Sequence, residues 1–524
     1  MSFQHMFDYP YWLLPSIAIA YFGIHALLSR NKGFKYPSVG TLDALIPTFI
    51  HNVIYAFYAG PLLERGYTKF RDSAFQLTRN NEPIIVLPHS LLEELASLPA
   101  TVASPQAALR RDLLGHYTGV DQIVENNLHH YIVQRRLTPR IPRLIPAMER
   151  AVIAAFEKHF PNSDEWTEIC PLQVIRPISA KVAADALVGP EFSDDPTWLD
   201  ISVHYTEKVF ATMAILRMFP TWVQWAIAPL LPTARAPQRY LRRTKRLLGP
   251  RIAKLIMLGD DAGWEPSDDS PYDTNLLAWL ASSARGRNRD PDVIAQALVL
   301  VALASVHTTL LRMVSVLYDV TAAGSGLRDQ LVNEIAAIAA AGPGGWGSDA
   351  YGRLHKLDSV LRESQRMSPP VVTGMKRVFA RAHTFGDGTH VPAGAYACMP
   401  VHAIENDEAH TPDPGRFDGL RSFRARQEWE RQAASSRNSN SSEFLFDTPT
   451  LTSLSFGYGK TACPGRFFAS HAIKVVLVKM FSDYEFRFLP GAGRPPGIMA
   501  HEFLFPSPEQ KILVRRNKEA ACPF

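Results

Sequence analysis

The sequence predicts a mainly α-helical chain with a small β-rich part nearer its C-terminal half, carried behind an apolar segment long enough to cross a bilayer. Three observations predict it. Apolar residues recur at helical spacing, and almost all round, from about Asp292 to Ala323, and again over Leu357–Met367. Strand and turn signals dominate after Pro370, with tight turns at Gly386-Asp387-Gly388 and Val391-Pro392-Ala393-Gly394. Tyr11 to Leu28 is almost wholly apolar, and about 18–20 such residues span a membrane.

Taken in order, Asp8 precedes the apolar segment, Tyr9, Tyr11 and Trp12 suit one interface, and Arg30, Lys32 and Lys35 follow. The excess of cations after the span places the rest of the chain in the cytosol. The expected organisation is a membrane anchor over residues 1–30 and one domain over residues 31–524. Residues 36–100 mix short strands, such as 83–87, with helical pieces. Gln122 to about Lys158 reads as helix, with breaks at Pro139, Pro142 and Pro146. Phe210–Leu231 is rich in Met, Phe and Trp, broken at Pro220 and Pro229, and carries Trp222 and Trp225 as an apolar lid suited to a bilayer surface. Asp290-Pro291 opens the long helix, and Pro369-Pro370 stops the Leu357–Met367 helix. About 432–453 reads as a surface insertion, because it opens on a Ser/Asn-rich tract. From Phe486 to Val514 strand-like runs alternate with Gly/Pro turns.

The chain has 524 residues and a formal net charge of +5. That charge is too mild and too dispersed for nucleic acid. Cys170, Cys398, Cys463 and Cys522 form no metal-ligand spacing and no disulfide framework, which suits a reducing compartment.

The most informative stretch is Phe456-Gly-Tyr-Gly459-Lys-Thr-Ala-Cys463-Pro-Gly465-Arg-Phe-Phe-Ala469. Pro464 suits a first helical position, which puts Cys463 near the N-cap. Free amides and the helix dipole there favour an anionic sulfur. Gly459 and Gly465 let the backbone approach something large and flat. A thiolate so presented can serve as an axial ligand to haem iron. The pattern Phe-x-x-Gly-x-x-x-Cys-x-Gly, with Ala469 further on, resembles the haem-binding loop of the cytochrome P-450 superfamily.

Two upstream motifs extend the resemblance in the family's order. Glu363-Ser-Gln-Arg366 and Pro414-Gly-Arg416-Phe417 resemble its Glu–Arg–Arg cluster, which implies a structural role for Glu363, Arg366 and Arg416. Ala304-Ser-Val-His307-Thr308-Thr309 resembles its oxygen-activating helix, where proton delivery and a local helix distortion are expected. Thr308 fits the alcohol role. Ser305 stands where glycine is usual and His307 where an acid is usual, so histidine would relay the proton.

The resemblance further implies haem b, bound at its propionates by Arg377, His129 and Lys460 and cradled by Phe456, Gly459 and Gly465. It implies electrons from NADPH through a reductase docked on a basic face of Lys460, Arg466, Lys474, Arg135, Arg136, Arg140 and Arg143. The run Ala462-Cys-Pro-Gly-Arg-Phe-Phe-Ala-Ser470 and the His-Thr-Thr helix look most like filamentous-fungal members of secondary metabolism. Those oxidise lipophilic terpenoids, meroterpenoids, alkaloids or polyketide hybrids, anchored by one span in the endoplasmic reticulum membrane. Val371, Val372, Thr373 and Phe503–Phe505 occupy the expected pocket positions. Two other activities stay open: a haem-thiolate isomerase or dehydratase that needs no reductase, and a non-catalytic haem or ligand binder.

Overall fold

The structure is a computed structural model that describes residues 34–39, 48–80, 82–121, 127–341, 346–433, 441–519 and 522–524. The expected anchor, residues 1–30, lies outside the described residues. Helix α1 (Thr48–Lys69) kinks at Tyr58, just ahead of Pro61, which lacks an N–H for the helix ladder and crowds the preceding turn. Strands β1 (Phe75–Arg79), β2 (Glu82–Val86) and β3 (Ala103–Ser104) follow. Helix α2 (Pro105–Asp112) starts with Pro105, and the Ser104 hydroxyl accepts the Ala107 amide, as an N-cap should.

The breaks expected at Pro139, Pro142 and Pro146 do not occur. Leu128–Ile132 runs through a π-helical turn, Val133–Leu137, and a 3-10 turn, Thr138–Arg140, into α3 (Ile141–His159). Pro139 and Pro142 fall in first turns, where a missing N–H costs nothing. Pro146 is carried inside α3, which buries Leu144, Ile145, Met148 and Val152 around it.

Helices α4 (Pro171–Val188), α5 (Pro196–Leu216) and α6 (Pro232–Ala262) surround α7 (Pro291–Ala323). Asp290 accepts the Asp292 amide and Pro291 takes the first position, as the sequence predicts. Helix α7 also packs against α8 (His355–Met367) and α9 (Arg466–Asp483). It is long and apolar enough to span a membrane, yet most of it is buried inside the protein, as a core helix must be. Trp222 and Trp225, on the short helix Thr221–Ile227, stay exposed at 62% and 71%.

Strands β4 (Gly374–Phe379) and β5 (Tyr396–Met399) complete a five-stranded sheet in the order β1-β2-β5-β4-β3, with β2 and β5 parallel. The sheet therefore draws three strands from the first 104 residues. Strands β6 (Ile498–Ala500) and β7 (Phe503–Phe505) pair as a hairpin. Thr167–Ile169, Ile512–Arg516 and Tyr484–Phe488 form a third sheet.

Two buried ion clusters lock these parts together. In the first, Arg366 grips Glu363 with two parallel bonds of 3.0 and 2.7 Å. The expected second arginine, Arg416, does not join through its side chain, which is exposed. Arg421 takes that place, with Nε 3.3 Å from both Glu363 oxygens. The reason is geometric. The 412–416 turn wraps the cluster with its carbonyls: Pro414 accepts from Arg366 at 2.8 Å and Pro412 from Arg421 at 2.6 Å. Arg416 supplies only its carbonyl.

The second cluster joins Arg79 to Asp112 (2.9 Å) and Glu502 (2.9 Å), Arg217 to Glu502 (2.8 Å), and Lys376 to Asp112 (2.9 Å). Among the described residues five non-glycines adopt left-handed backbone, namely Asn80, Leu114, Met375, Asp413 and His501. Each is within two residues of a cluster member or of a carbonyl that a cluster arginine grips. Left-handed backbone costs about 1–2 kcal/mol per non-glycine residue, so the ion contacts hold the chain in strain that local preference opposes.

The expected insertion over about 432–453 is a surface feature only in part. Phe446 and Asp447 are buried, and Arg362 donates to the carbonyls of Glu443 and Leu445 at 2.8 Å each. Residues 434–440 lie outside the described residues.

Two predictions follow from these contacts. Arg421→Ala should destabilise the protein by about 2 kcal/mol, since bonds to a charged group are worth about 1.5–3 kcal/mol. Arg416→Ala should stay within about 0.5 kcal/mol; chemical denaturation of both variants checks the assignment. Glu334 caps α8 by accepting the Lys356 and Leu357 amides at 2.7 and 3.1 Å, and burial pushes its carboxyl up to about 7. Its folded value lies above the ordinary 4.5. Its contribution to stability is thus full below about 4.5 and lost as pH rises through about 7. Measured across that window, the stability of Glu334→Gln should gain on the wild type, then hold a constant offset above it.

Candidate functional site

The cysteine loop is built backward from its anchor. The buried Glu405 carboxylate accepts the Leu454 amide at 2.5 Å and the Ser455 amide at 2.9 Å, fixing where the loop starts. The Cys463 N–H then donates to the Phe456 carbonyl at 2.7 Å, closing the loop. Gly457 and Gly459 both have positive φ, +77° and +61°. A Cβ on Gly457 would sit 3.2 Å from the Thr461 carbonyl, so only glycine fits this turn. Phe456 stacks edge-on against Phe446 at 5.2 Å.

Helix α9 starts two residues later than expected. Its N-cap is Gly465, and Pro464 lies in the turn before it. Cys463 still faces the helix entrance, and Arg466 reaches back to its carbonyl at 2.9 Å. Burial pushes the Cys463 thiol up, while the Gly465 and Arg466 amides and the Arg466 charge pull it down. The site thus supplies the hydrogen bonds a thiolate needs, and a cation bound to the sulfur would complete its stabilisation.

Helix α7 opens at one place. Ala304 and Thr308 are exposed at the centre of a helix whose neighbours Ala302, Val306, Thr309 and Leu310 are buried. A one-turn spacing puts both exposed residues on one face, so the core helix has an open face there. Thr308 Oγ1 donates to the Ala304 carbonyl at 2.6 Å, which leaves its lone pairs free to accept. The expected helix distortion is absent: α7 runs unbroken past Ser305, with the Thr308 and Thr309 hydroxyls bonded back to the Ala304 and Ser305 carbonyls. His307 points elsewhere, its Nε2 lying 3.9 Å from Glu207 Oε1 on α5.

The group that the sequence implies beside this open face is haem, and the residues present fit it. Gly465 offers open space where a Cβ would stand. Arg377, on β4, is 2% exposed and bonds Thr461 Oγ1 at 2.8 Å and the Lys376 carbonyl at 2.9 Å, while its Nε has no hydrogen-bond partner among the described residues. Among the described residues no carboxylate offsets its burial, which pushes its guanidinium down to about 10. A buried cation beside the cysteine loop, lacking an anion, is what a propionate would satisfy.

The remaining expected contacts separate. His129 is pushed down to about 4 by burial and by His130, so it is a neutral hydrogen-bonding group rather than a cation. Lys460 is exposed. Of the expected basic face, Lys460, Arg135 and Arg136 are exposed, but Lys474 is buried against Asp358 at 2.9 Å, and Arg140 and Arg143 pair with Asp268. Phe210 packs edge-on against Phe503 and Phe505 at 5.1 and 6.1 Å, and Val371 bridges to Phe503. Sequence reasoning missed Thr461 as the partner of Arg377, Arg421 in the first cluster, and Glu207 beside His307. Phe417-Asp-Gly-Leu-Arg421 held a second arginine close to Pro414, which was the available signal for one of them.

The sequence model described as "Cytochrome P450" matches residues 140–514. The chain is 32% identical over 502 residues to "Cytochrome P450 monooxygenase olcJ" of Penicillium canescens, covering 95% of this chain and 91% of that protein. It is 30% identical over 496 residues to "Ent-kaurene oxidase P450-4" of Gibberella fujikuroi, covering 94% of each. Among solved structures it resembles "Retinoic acid bound cyanobacterial CYP120A1", with a TM-score of 0.64 over 92% of this chain and 99% of that one. At 19% identity that likeness shows the fold alone. Fold and sequence therefore agree, and the chain belongs to the cytochrome P-450 family of monooxygenases.

Proposed function

We propose that the protein hydroxylates or further oxidises a lipophilic secondary metabolite, of terpenoid, meroterpenoid, alkaloid or polyketide-hybrid type, in a fungus. The observation that carries this reading is the opened face of α7, with Thr308 on it, next to the helix α9 whose entrance presents Cys463. The named relatives, one of them an ent-kaurene oxidase, support a terpenoid-like substrate. The apolar surround of Phe210, Phe503, Phe505 and Val372 supports a substrate with little charge.

Haem b, when bound, supplies activation of dioxygen with two electrons from NADPH, delivered through a reductase. The Cys463 sulfur would hold the iron, and the amides of Gly465 and Arg466 favour its thiolate form. Arg377 would hold a propionate, helped by Thr461, which fixes the guanidinium. His129 offers a neutral N–H, and Lys460 a solvent-side charge. Thr308 keeps its own proton on the Ala304 carbonyl and accepts at Oγ1. Phe456, Gly459 and Gly465 leave room for a flat ring. Glu363, Arg366 and Arg421 hold the frame and touch no substrate. Residues 1–30 anchor the protein in the endoplasmic reticulum membrane, with residues 31–524 as a cytosolic catalytic domain.

The test is incubation with NADPH, a reductase, labelled dioxygen and candidate metabolites. Product carrying one labelled oxygen, dependent on reductase, is expected. Product formed without reductase would favour an isomerase or dehydratase, and tight binding without product a binding protein. Thr308→Ala should raise the share of electrons lost as peroxide severalfold, and unchanged coupling would contradict its role. Arg377→Met should lower the pigment-to-protein ratio of the purified protein severalfold, whereas equal retention would remove Arg377 from the propionate site.

A further inference from the structure

Tyr351, Trp346 and Glu149 form a hydrogen-bonded group that the proposed activity does not use. Tyr351 sits on a 3-10 turn, Ala350–Arg353, and is fully buried. Its hydroxyl donates to Glu149 Oε1 of α3 at 2.7 Å. Trp346 is half-buried, and its Nε1 donates to the same oxygen at 3.2 Å and to the Tyr351 hydroxyl at 3.3 Å. The two rings meet edge-on with centroids 5.2 Å apart.

Other tyrosines also donate to carboxylates, Tyr67 to Asp407 and Tyr396 to Asp112. Those carboxylates are held by cations, Arg71 in one case, Arg79 and Lys376 in the other. Glu149 makes no ion pair among the described residues, so no cation competes for the oxygen that faces the phenol. Burial, and after it the bond to Glu149, push the Tyr351 phenol well up. Tyr351 therefore keeps its proton at rest and loses it only together with an electron.

The group is also clamped to the helix that starts beside the sulfur. Lys474 of α9 donates to the Tyr351 carbonyl at 2.9 Å, and the Tyr351 ring lies 6.4 Å from that of His471 on the same helix. His471 follows Cys463 by eight residues, about 12 Å at helical rise. An electron tunnels that far faster than enzymes typically turn over. Rings then lead in two short steps from His471 to the half-buried Trp346.

We infer that Tyr351 and Trp346 are a protective redox relay, which returns electrons to the site when activated oxygen finds no substrate to oxidise. This rests on the haem-thiolate reading above. Tyr351 gives one electron toward the site along α9, while its proton passes to Glu149 Oε1. Trp346 then refills Tyr351 with an electron, and Glu149 hands the proton back. A small thiol in solvent restores Trp346 and releases its own proton. Two such passes turn two thiols and one oxygen atom into one disulfide and one water, with Tyr351, Trp346 and Glu149 unchanged.

The test uses the full-length, pigment-loaded protein, mixed with a peroxy acid without substrate and frozen within milliseconds for electron paramagnetic resonance. An organic radical is expected, and its hyperfine structure should collapse when the protein carries ring-deuterated tyrosine. Tyr351→Phe should remove that signal and bleach the pigment severalfold faster over repeated additions. Glu149→Gln, which keeps the shape but removes the proton acceptor, should lower the radical yield severalfold. Trp346→Phe should make the tyrosine radical last severalfold longer, because its exit is gone. A tyrosine signal that survives Tyr351→Phe, bleaching equal to the wild type, or an unchanged lifetime in Trp346→Phe overturns the inference. The carbonyl spectrum keeps the two readings apart. Absence of the thiolate-bound band contradicts the haem reading itself, whereas the band without a tyrosine radical overturns the relay alone.

Discussion

The structure depends on one carboxylate. Glu363 sits 3% exposed beneath two guanidiniums, and those arginines gather the carbonyls of the turn that leads toward the cysteine loop. A buried anion held by bidentate geometry is rigid, because any displacement leaves charge unpaired in a low-dielectric interior. From that fixed point Asn406 is bound to Arg366. One residue earlier, Glu405 holds the start of the loop through the Leu454 and Ser455 amides. The position of the sulfur is thus inherited from ionic contacts well outside the site.

The same economy appears in the second cluster, where Asp112 and Glu502 are held in place by three cations. It ties β1, β4 and the β7 hairpin to α2 and the end of α5. Strained backbone collects at these two clusters and nowhere else among the described residues. The strain is tolerated because ion contacts over-determine the chain there. It also places Lys376 and Arg377 on successive positions of β4 beside a left-handed Met375, one pointing to the ion cluster and the other to Thr461.

Much of this was legible in the sequence, and the remainder failed for physical reasons. The core helix could be read because Asp290-Pro291 is a local start signal and the centre of α7 is apolar almost all round. The cysteine loop could be read because its glycines meet steric demands that no other residue satisfies. Arg416 was misassigned because two arginines five residues apart are equivalent on paper, and only the path of the 412–416 turn decides which side chain turns inward. Pro139 and Pro142 misled because a proline in a first turn and a proline breaking a helix look alike without the register. Thr461 and Glu207 were invisible because their partners, Arg377 and His307, lie 84 and 100 residues away and meet them only through the fold.

The central claim is that the sulfur of residue 463 holds the iron of a haem lodged against the open face of α7. The most direct measurement is the absorption spectrum of the purified protein, reduced under carbon monoxide, beside that of Cys463→His. The account predicts the strongly red-shifted band of a thiolate-bound carbonyl haem in the first and its loss in the second. The same band in both, or no pigment in the unmodified protein, would contradict it.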